Sequence, residues 1–215
     1  MFYKKLKKAC PAKLQRSGGF TLLELLVVIT ISTIIMTTLV FQQSQWNDKL
    51  TVSTQAYELA LMIRQAQIYA LGVREDTAGG GDKFNIGYGI YVDENDLVGL
   101  GGVMDRYIFF ADRNNNKIYD SSPDEKIGDP IIFTRGVVID RFCGATGVNP
   151  CNNDAGPLNQ LNITFFRPEP KANIQLLNNG GGNGGTNPPA TIYLKSLGGK
   201  FSSVKVETNG QISIQ

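Results

Sequence analysis

The stretch that decides the fold begins Gly18-Gly19-Phe20-Thr21-Leu22-Leu23-Glu24-Leu25 and continues without another charge to Val40. About 20 mostly apolar residues, at a rise of 1.5 Å each, span the hydrocarbon core of a bilayer as a helix. We therefore predict a transmembrane helix over residues 20–40. A carboxylate at the centre of such a span costs roughly 2.5–3.5 kcal/mol. Glu24 near its start is thus either a functional acid or an interfacial acid that reaches the headgroups.

The residues before this run are strongly basic. Residues 1–19 contain six lysines and arginines and no acid. Basic residues beside a first span hold that end in the cytoplasm, so the chain after Phe20 is expected outside it. An ordinary secretory signal would place an A-x-A-like cleavage site after the apolar run. Here the small residues Gly18 and Gly19 precede the run instead.

The segment Gly19-Phe20-Thr21-Leu22-Leu23-Glu24-Leu25 after a basic leader resembles the class III signal of type IV prepilins and type II secretion pseudopilins. The resemblance implies that a prepilin peptidase cuts between Gly19 and Phe20 and that the new amine of Phe20 is N-methylated. Its other implied partners are pilins or pseudopilins that pack through the N-terminal helix. Glu24 of one subunit would meet the amine of a neighbour, because two charges that are costly alone become tolerable as a pair.

Composition narrows the classes of function that the chain can have. The leader holds six of the 21 basic residues, which leaves 15 against 19 acids and a formal charge of −4 for residues 20–215. Such a chain gives no general electrostatic case for a nucleic-acid partner. The sequence contains no histidine, so sites that need imidazole are excluded. We expect a protein that is not an enzyme.

The helix is expected to continue well past the span. Residues 48–71 contain no Gly or Pro, and Gly72 is suited to end the helix. Helical spacing predicts one broad apolar face made of two adjoining stripes. These stripes are Leu50, Tyr57, Leu61, Ile68 and Leu71, and Ala56, Ala60, Ile63, Ala66 and Ala70. The predicted organisation is a leader (1–19), a long helix (20–72, with 20–40 in the membrane) and a β-rich head (73–215).

The remaining chain is predicted to form short strands. They are residues 84–92, 106–111, 131–142, 161–166, 191–197, 204–208 and 212–214, separated by Gly, Asn, Pro and Asp. Asn209-Gly210 predicts a hairpin between the last two. The fold class is therefore α+β, a long N-terminal helix packed on an antiparallel two-sheet head.

Several head motifs resemble, in their order, the GspH/FimT class of minor pseudopilins. They are Tyr88-Gly89-Ile90, residues 109–116, Asn162-Ile163-Thr164-Phe165 and the terminal hairpin. The resemblance implies a low-abundance subunit near a filament tip. FimT-like proteins of some competence systems bind DNA through basic residues near the C-terminus. This chain lacks such residues after Thr208, and we treat Lys195, Lys200 and Lys205 as a solvated face.

Two cysteines follow the span, Cys143 and Cys151. On the exported, oxidising side of a membrane a pair across a short loop is expected to form a disulfide, with free thiols as the alternative. Closing so short a loop stabilises the fold by about 2–3 kcal/mol.

One oxygen-rich loop is a candidate metal site. Asp112, Asn114, Asn116 and Asp120 fall at positions 1, 3, 5 and 9, and the carbonyl of Ile118 at position 7. This spacing suits Ca²⁺, which takes 6–8 oxygen ligands. Lys117 stands where an EF-hand has Gly, and Pro123 where it has Glu, so Asp124 or Glu125 would complete the set. The alternative is an Asn/Asp turn between strands.

The glycine- and asparagine-rich segment 178–187 is expected to be an exposed hairpin insertion, because no helix start or Lys-Ser/Thr follows it. The sequence leaves two interpretations open. One is a minor structural subunit of a type IV pilus-like or type II secretion filament. The other is a tip subunit that captures DNA, a surface or a secreted substrate. Either would be a single-pass inner-membrane protein with its leader in the cytoplasm and its head outside.

Overall fold

The computed structural model describes residues 18–72, 85–95, 103–121, 125–144, 151–153, 158–178, 183–186 and 188–215. Residues 1–17, Asp124 and part of the glycine-rich segment lie outside these ranges. The chain divides into two compact units, one ending at Gln43 and one comprising Ser44–Gln215. We call the second unit the head. The predicted boundaries at 19/20 and 72/73 stay predictions.

A single helix, α1 (Leu22–Leu71), contributes to both units. Its start is set by Thr21, whose Oγ1 accepts a hydrogen bond from the backbone N–H of Glu24 at 3.2 Å. This is an N-cap, with the glutamate at the third helical position where the cap receives its bond. At the other end the N–H of Gly72 donates to the carbonyl of Ile68. The helix thus runs from Leu22 to Leu71 where residues 20–72 were predicted.

Ten strands form two antiparallel sheets in the head. In chain order they are β1 (Gly87–Asp93), β2 (Arg106–Asp112), β3 (Ile131–Ile132), β4 (Val138–Gly144), β5 (Leu158–Phe165), β6 (Ala172–Asn178), β7 (Asn183–Thr186), β8 (Ala190–Lys195), β9 (Phe201–Val206) and β10 (Ile212–Ile214). The six-stranded sheet has the order β3-β2-β1-β5-β6-β7, and the four-stranded sheet has the order β10-β9-β8-β4. The α+β class with two sheets is confirmed.

The head core lies between α1 and both sheets. The helix contributes residues spaced alternately four and three apart, which we call the inner stripe: Val52, Ala56, Leu59, Ile63, Ala66 and Ala70. All six are at most 1% exposed, and they pack with strand residues such as Ile90, Phe142 and Ile192. Three of the six are alanines, and small side chains let the helix backbone come close to a sheet.

One prediction about this helix was wrong. The larger side chains expected to share the packing face, Leu50, Tyr57, Leu61 and Ile68, are 58–66% exposed, and Leu71 is 38% exposed. We call the first four the outer stripe. They lie on the other side of α1 from the sheets, because the close-packed alanine positions occupy the inner side.

A second, smaller core covers the other face of the six-stranded sheet. It contains Tyr91, Ile108 and Phe110, with Tyr119 packed against them. Tyr119 follows β2 and lies 4.8 Å from the ring of Tyr91 and 5.6 Å from that of Phe110, centroid to centroid. The segment after β2 therefore folds back over the sheet, and this explains why β1 is buried along its whole length.

The strand predictions were largely correct, with two differences. The predicted strand 131–142 is two strands, because Arg135 and Gly136 adopt positive φ angles of 55° and 69° in a turn between β3 and β4. Strands β6 and β7 were not predicted, and part of the glycine-rich segment, Asn183–Thr186, pairs with β6. The Asn209-Gly210 hairpin is confirmed, with Gly210 at φ 86° between β9 and β10.

Candidate functional site

The N-terminal unit presents its cleavage and assembly candidates openly. A side chain added at Gly18 or Gly19 would meet no atom within 4 Å, and Phe20 is 81% exposed. Glu24 is exposed, and in the described part of the chain it forms no ion pair. A carboxylate in the first helical turn interacts favourably with the helix dipole. It can also pair with a cation supplied by another molecule.

The helix surface after Glu24 is apolar and uncovered. From Leu22 to Phe41 every large apolar side chain is 46–81% exposed. Among the described residues, α1 is the one helix long and apolar enough to cross a membrane. Such a surface matches a lipid environment or the apolar helices of other molecules.

The four threonine hydroxyl groups in this run are hydrogen-bonded within the helix. Thr30, Thr33, Thr37 and Thr38 each donate to a backbone carbonyl three or four residues earlier, at 2.7–2.8 Å. Threonine hydroxyls make such bonds within helices. The bonds leave no hydroxyl donor of these threonines turned outward, so the run is more apolar than its composition suggests.

The outer stripe extends an exposed apolar surface along the head. Tyr57, Leu61 and the adjacent Ala60 and Arg64 form one side of a groove of about 330 Å³, and Ile212 and Ile214 of β10 form the other. Strand β10 is the edge strand of its sheet. The sequence analysis placed Tyr57 and Leu61 in the core, because helical spacing alone does not distinguish a buried stripe from an exposed one.

The oxygen-rich loop after β2 is organised by two buried carboxylates. Asp112 accepts hydrogen bonds from the backbone N–H groups of Asn116 and Lys117 at 3.1 and 2.7 Å. Glu125 accepts from those of Arg113 and Asp120 at 2.8 and 3.0 Å. The loop thus folds around these two side chains, neither of which is exposed.

The other predicted ligands lie in the same loop. Asn114 and Asn116 donate through Nδ2 to Oδ2 of Asp120 at 2.7 and 2.6 Å, and the N–H of Ile118 donates to Asn116 Oδ1. Lys117 has a φ of 72°, the left-handed conformation that favours the glycine of an EF-hand at this position. Asp124 lies outside the described residues.

Burial and mutual repulsion shift the titration of these acids. Desolvation, with a smaller contribution from the charge of Glu125, raises the pKa of Asp112 to about 6, against backbone hydrogen bonds that lower it. Burial likewise raises the pKa of Glu125, and Asp120 adds repulsion. Within the described ranges no three Asp, Glu or Cys side chains form a group that could hold a metal by themselves. A cation here would also need the amide and carbonyl oxygens.

The predicted disulfide is present. Cys143, in β4, is bonded to Cys151. Asn152 reinforces the same connection to β4. Its Oδ1 accepts a hydrogen bond from the N–H of Phe142 at 2.8 Å, and its own N–H donates to the carbonyl of Phe142. The disulfide bond therefore ties Cys151 to strand β4.

Comparison with known proteins identifies the N-terminal segment. Residues 14–40 match the family model described as the prokaryotic N-terminal methylation motif. This match includes Gly19, Phe20 and Glu24. No curated protein and no solved structure matches the chain.

Proposed function

Because the chain carries the N-terminal methylation motif typical of type IV pilins and pseudopilins, we propose that it is a minor subunit of a type IV pilus-like or type II secretion filament. A prepilin peptidase cuts it between Gly19 and Phe20, and Phe20 is then N-methylated. Residues 20–40 hold it in the inner membrane until assembly, with residues 73–215 outside. The motif and the apolar helix fit a single-pass anchor.

The observation that carries this proposal is the uncovered first half of α1. Its apolar side chains find no partner within the described chain, and the residues at the proposed cut are equally open. Such a surface needs lipid at one stage and other helices at another. The acid at position 24 then supplies the one polar contact able to fix the register between neighbours.

The outer stripe supports the same function in the head. Four large apolar side chains on one helix face, beside a groove lined by β10, resemble the apolar core of a protein–protein interface. We propose that this face packs against an adjacent subunit once the helix has left the membrane.

The test is mass spectrometry of the chain produced with and without a prepilin peptidase. We expect the peptidase to remove residues 1–19 and a methylated Phe20 to appear. Glu24→Ala should insert into membranes normally but fail to co-purify with filament subunits, and Glu169→Ala, an exposed acid of the head, is the matched control. An uncut leader, or a new start beyond residue 40, would refute the proposal.

Calcium is proposed as a stabiliser of the head. Asp112, Asn114, Asn116, Asp120 and Glu125, with the carbonyl of Ile118, supply oxygens of the type that Ca²⁺ prefers. A carboxylate has about four lone-pair sites, so the bonds to backbone N–H groups leave capacity for a cation. Ca²⁺ would also cancel the repulsion between Asp112 and Glu125. A higher melting temperature in Ca²⁺ than in chelator is expected, and equal values refute it.

A second candidate function is binding at a filament tip, where DNA, a surface or a secreted substrate would be captured. It is favoured by a groove of about 470 Å³ whose lining includes Lys117, Phe166, Arg167 and Lys171. Lys171 is neutralised in part by Glu169, at 2.7 Å. A DNA mobility shift that weakens with salt would support it. No shift at low salt would favour the purely structural role.

A further inference from the structure

One end of the head presents aromatic and basic side chains together. Trp46 and Lys49 of α1, with Lys200 and Phe201 of the β8–β9 hairpin, line a groove of about 440 Å³. Trp46 is 66% exposed and Phe201 54% exposed. We call this surface, together with Leu197, the aromatic–lysine patch.

The hairpin turn is held against the helix at this end. Its backbone is fixed by the Ser196 N–H, which donates to the carbonyl of Lys200 at 2.8 Å, and by the Lys200 N–H, which donates to Ser196 Oγ at 3.0 Å. A side chain at Gly198 would overlap the carboxylate of Asp48. The turn therefore lies beside the helical turn that carries Trp46 and Lys49.

Leu197 at the tip of this turn is 86% exposed, the most exposed large apolar side chain in the described part of the chain. Tight turns favour Gly, Asn, Asp and Ser, and a leucine at an exposed tip brings no stability to the isolated head. It belongs to the same turn as Lys200, its side chain lies near Gly136, and it adds a third uncovered apolar side chain to those of Trp46 and Phe201. Such a set of uncovered side chains points to an apolar phase or partner outside the head.

The two charged side chains that line the groove, Lys49 and Lys200, are positive, and the carboxylate of Asp48 lies beside Gly198 of the turn. In the described part of the chain, no acid forms an ion pair with Lys49 or Lys200. Lys195 lies 5.5 Å from the centroid of the Phe201 ring and 3.6 Å from Asp140. Trp, Phe and Leu interleaved with lysine is the composition of surfaces that lie in the interface of anionic membranes.

The patch also follows the candidate span closely along the chain. Trp46 comes six residues after Val40 in the sequence. The headgroup region on each side of a bilayer is roughly 5–8 Å thick, and tryptophan is enriched at that level.

We propose that the aromatic–lysine patch docks on anionic lipid headgroups of the membrane that holds the anchor. Leu197, Trp46 and Phe201 enter the headgroup boundary, and Lys49 and Lys200 contact phosphates. This inference rests on the proposed membrane anchor. The docked head is the unassembled state, which leaves the membrane when the helix enters a filament.

The sole tryptophan of the chain makes a direct test possible. The full chain is reconstituted in phosphatidylcholine vesicles with and without phosphatidylglycerol, containing lipids brominated near the headgroup. The reporter carries Trp46→Phe and Leu197→Trp. The matched control carries Trp46→Phe and Leu61→Trp, which moves the tryptophan to an exposed position of the outer stripe.

We expect bromolipids to quench the tryptophan at position 197, more strongly with phosphatidylglycerol, and to leave the one at position 61 unquenched. Lys49→Gln and Lys200→Gln should each lower the ratio of docked to undocked heads about fivefold, the equivalent of ~1 kcal/mol per lysine. Lys126→Gln, at a lysine that does not line the groove, is the control and should leave this ratio unchanged.

Four results would overturn the proposal. The first is equal quenching at positions 197 and 61. The second is quenching at position 197 that changes neither with phosphatidylglycerol nor with the two lysine substitutions. The third is a chain that does not float with vesicles, which overturns the anchor as well. Flotation without quenching at position 197 overturns the docking alone, so the two failures are distinguishable.

Discussion

The inner and outer stripes of α1 run along the same helical segment but lie in different environments. The inner stripe, half of it alanine, is at most 1% exposed, whereas the outer stripe carries the larger side chains and is 58–66% exposed. Apolar character therefore does not decide which face a sheet covers. Small side chains allow the helix backbone to come close to a sheet, and the large ones remain uncovered on the outer side.

The largest effect should come from the centre of the inner stripe. We expect Ile63→Ala to lower the free energy of unfolding by about 2–5 kcal/mol, because the site is fully buried against both sheets. Leu61→Ala should change it by no more than about 0.5 kcal/mol. Denaturant unfolding of the detergent-solubilised chain measures both. Equal losses would mean that the two stripes do not differ in the way described.

The second prediction extends the comparison to the carboxylates beneath the oxygen-rich loop. The pKa of Asp112 is about 6 in the folded protein and near its ordinary 3.8 in the unfolded chain. Between these values the folded protein retains a proton that the unfolded chain has lost. This difference in pKa stabilises the folded protein below about pH 4. The stabilisation is lost as the pH rises through about 6, and the free energy of unfolding falls by at most about 3 kcal/mol.

Unfolding in chelator at a series of pH values measures this slope. Asp112→Asn should flatten it, and Asp129→Asn, an exposed acid before β3, should leave it unchanged. A wild-type stability that rises from pH 4 to pH 6 would contradict the assignment to Asp112.

A polar member of the inner face should have an intermediate effect. Gln67 Nε2 donates to the carbonyls of Pro170 and Gly210, at 2.9 and 3.2 Å. Gln67→Leu leaves both carbonyls without this donor, at a cost of about 1–3 kcal/mol. Gln65→Leu, which loses a bond to Tyr69 on the same helix, is the control. If Gln67→Leu leaves the free energy of unfolding unchanged, water has replaced the Nε2 donor.

The smallest effect in free energy tests the outer stripe. Tyr57→Ser with Leu61→Ser should leave unfolding nearly unchanged but reduce co-purification with filament subunits roughly tenfold, as expected for interface residues worth about 1–2 kcal/mol. Thr54→Ser, on an exposed position of the same segment, is the control. Normal incorporation of the double variant would leave the outer stripe without a role in assembly.

Much of the fold could be predicted from local chemistry. Gly72 marks the end of α1, and Asn209-Gly210 marks the last hairpin, because a helix end and a tight turn each depend on single residues. Strand β7 gave no such signal. Its Asn-Gly-Gly-Thr sequence carries no alternation, and only pairing with β6 makes it a strand.

The candidate sites also divide into features that local sequence predicts and features that depend on the rest of the fold. The spacing of Cys143 and Cys151 predicted their bond, and the oxygen spacing predicted a loop after β2. The role of Glu125 as the second centre of that loop depends on long-range folding, since it binds backbone groups up to 12 residues away. Which stripe of α1 meets the sheets depends on the sheets themselves, and helical periodicity contains no information about them.

The cap at Thr21 has a consequence for maturation. The side chain that starts α1 belongs to the mature protein, as the second residue after the proposed cut, so the cap survives the removal of residues 1–19. Precursor and product should therefore share the start of α1, while the cut removes six basic residues and exposes the amine of Phe20. The filament machinery would then distinguish them by the new ammonium group at position 20, and a subunit could wait in the bilayer fully folded until that group is unmasked.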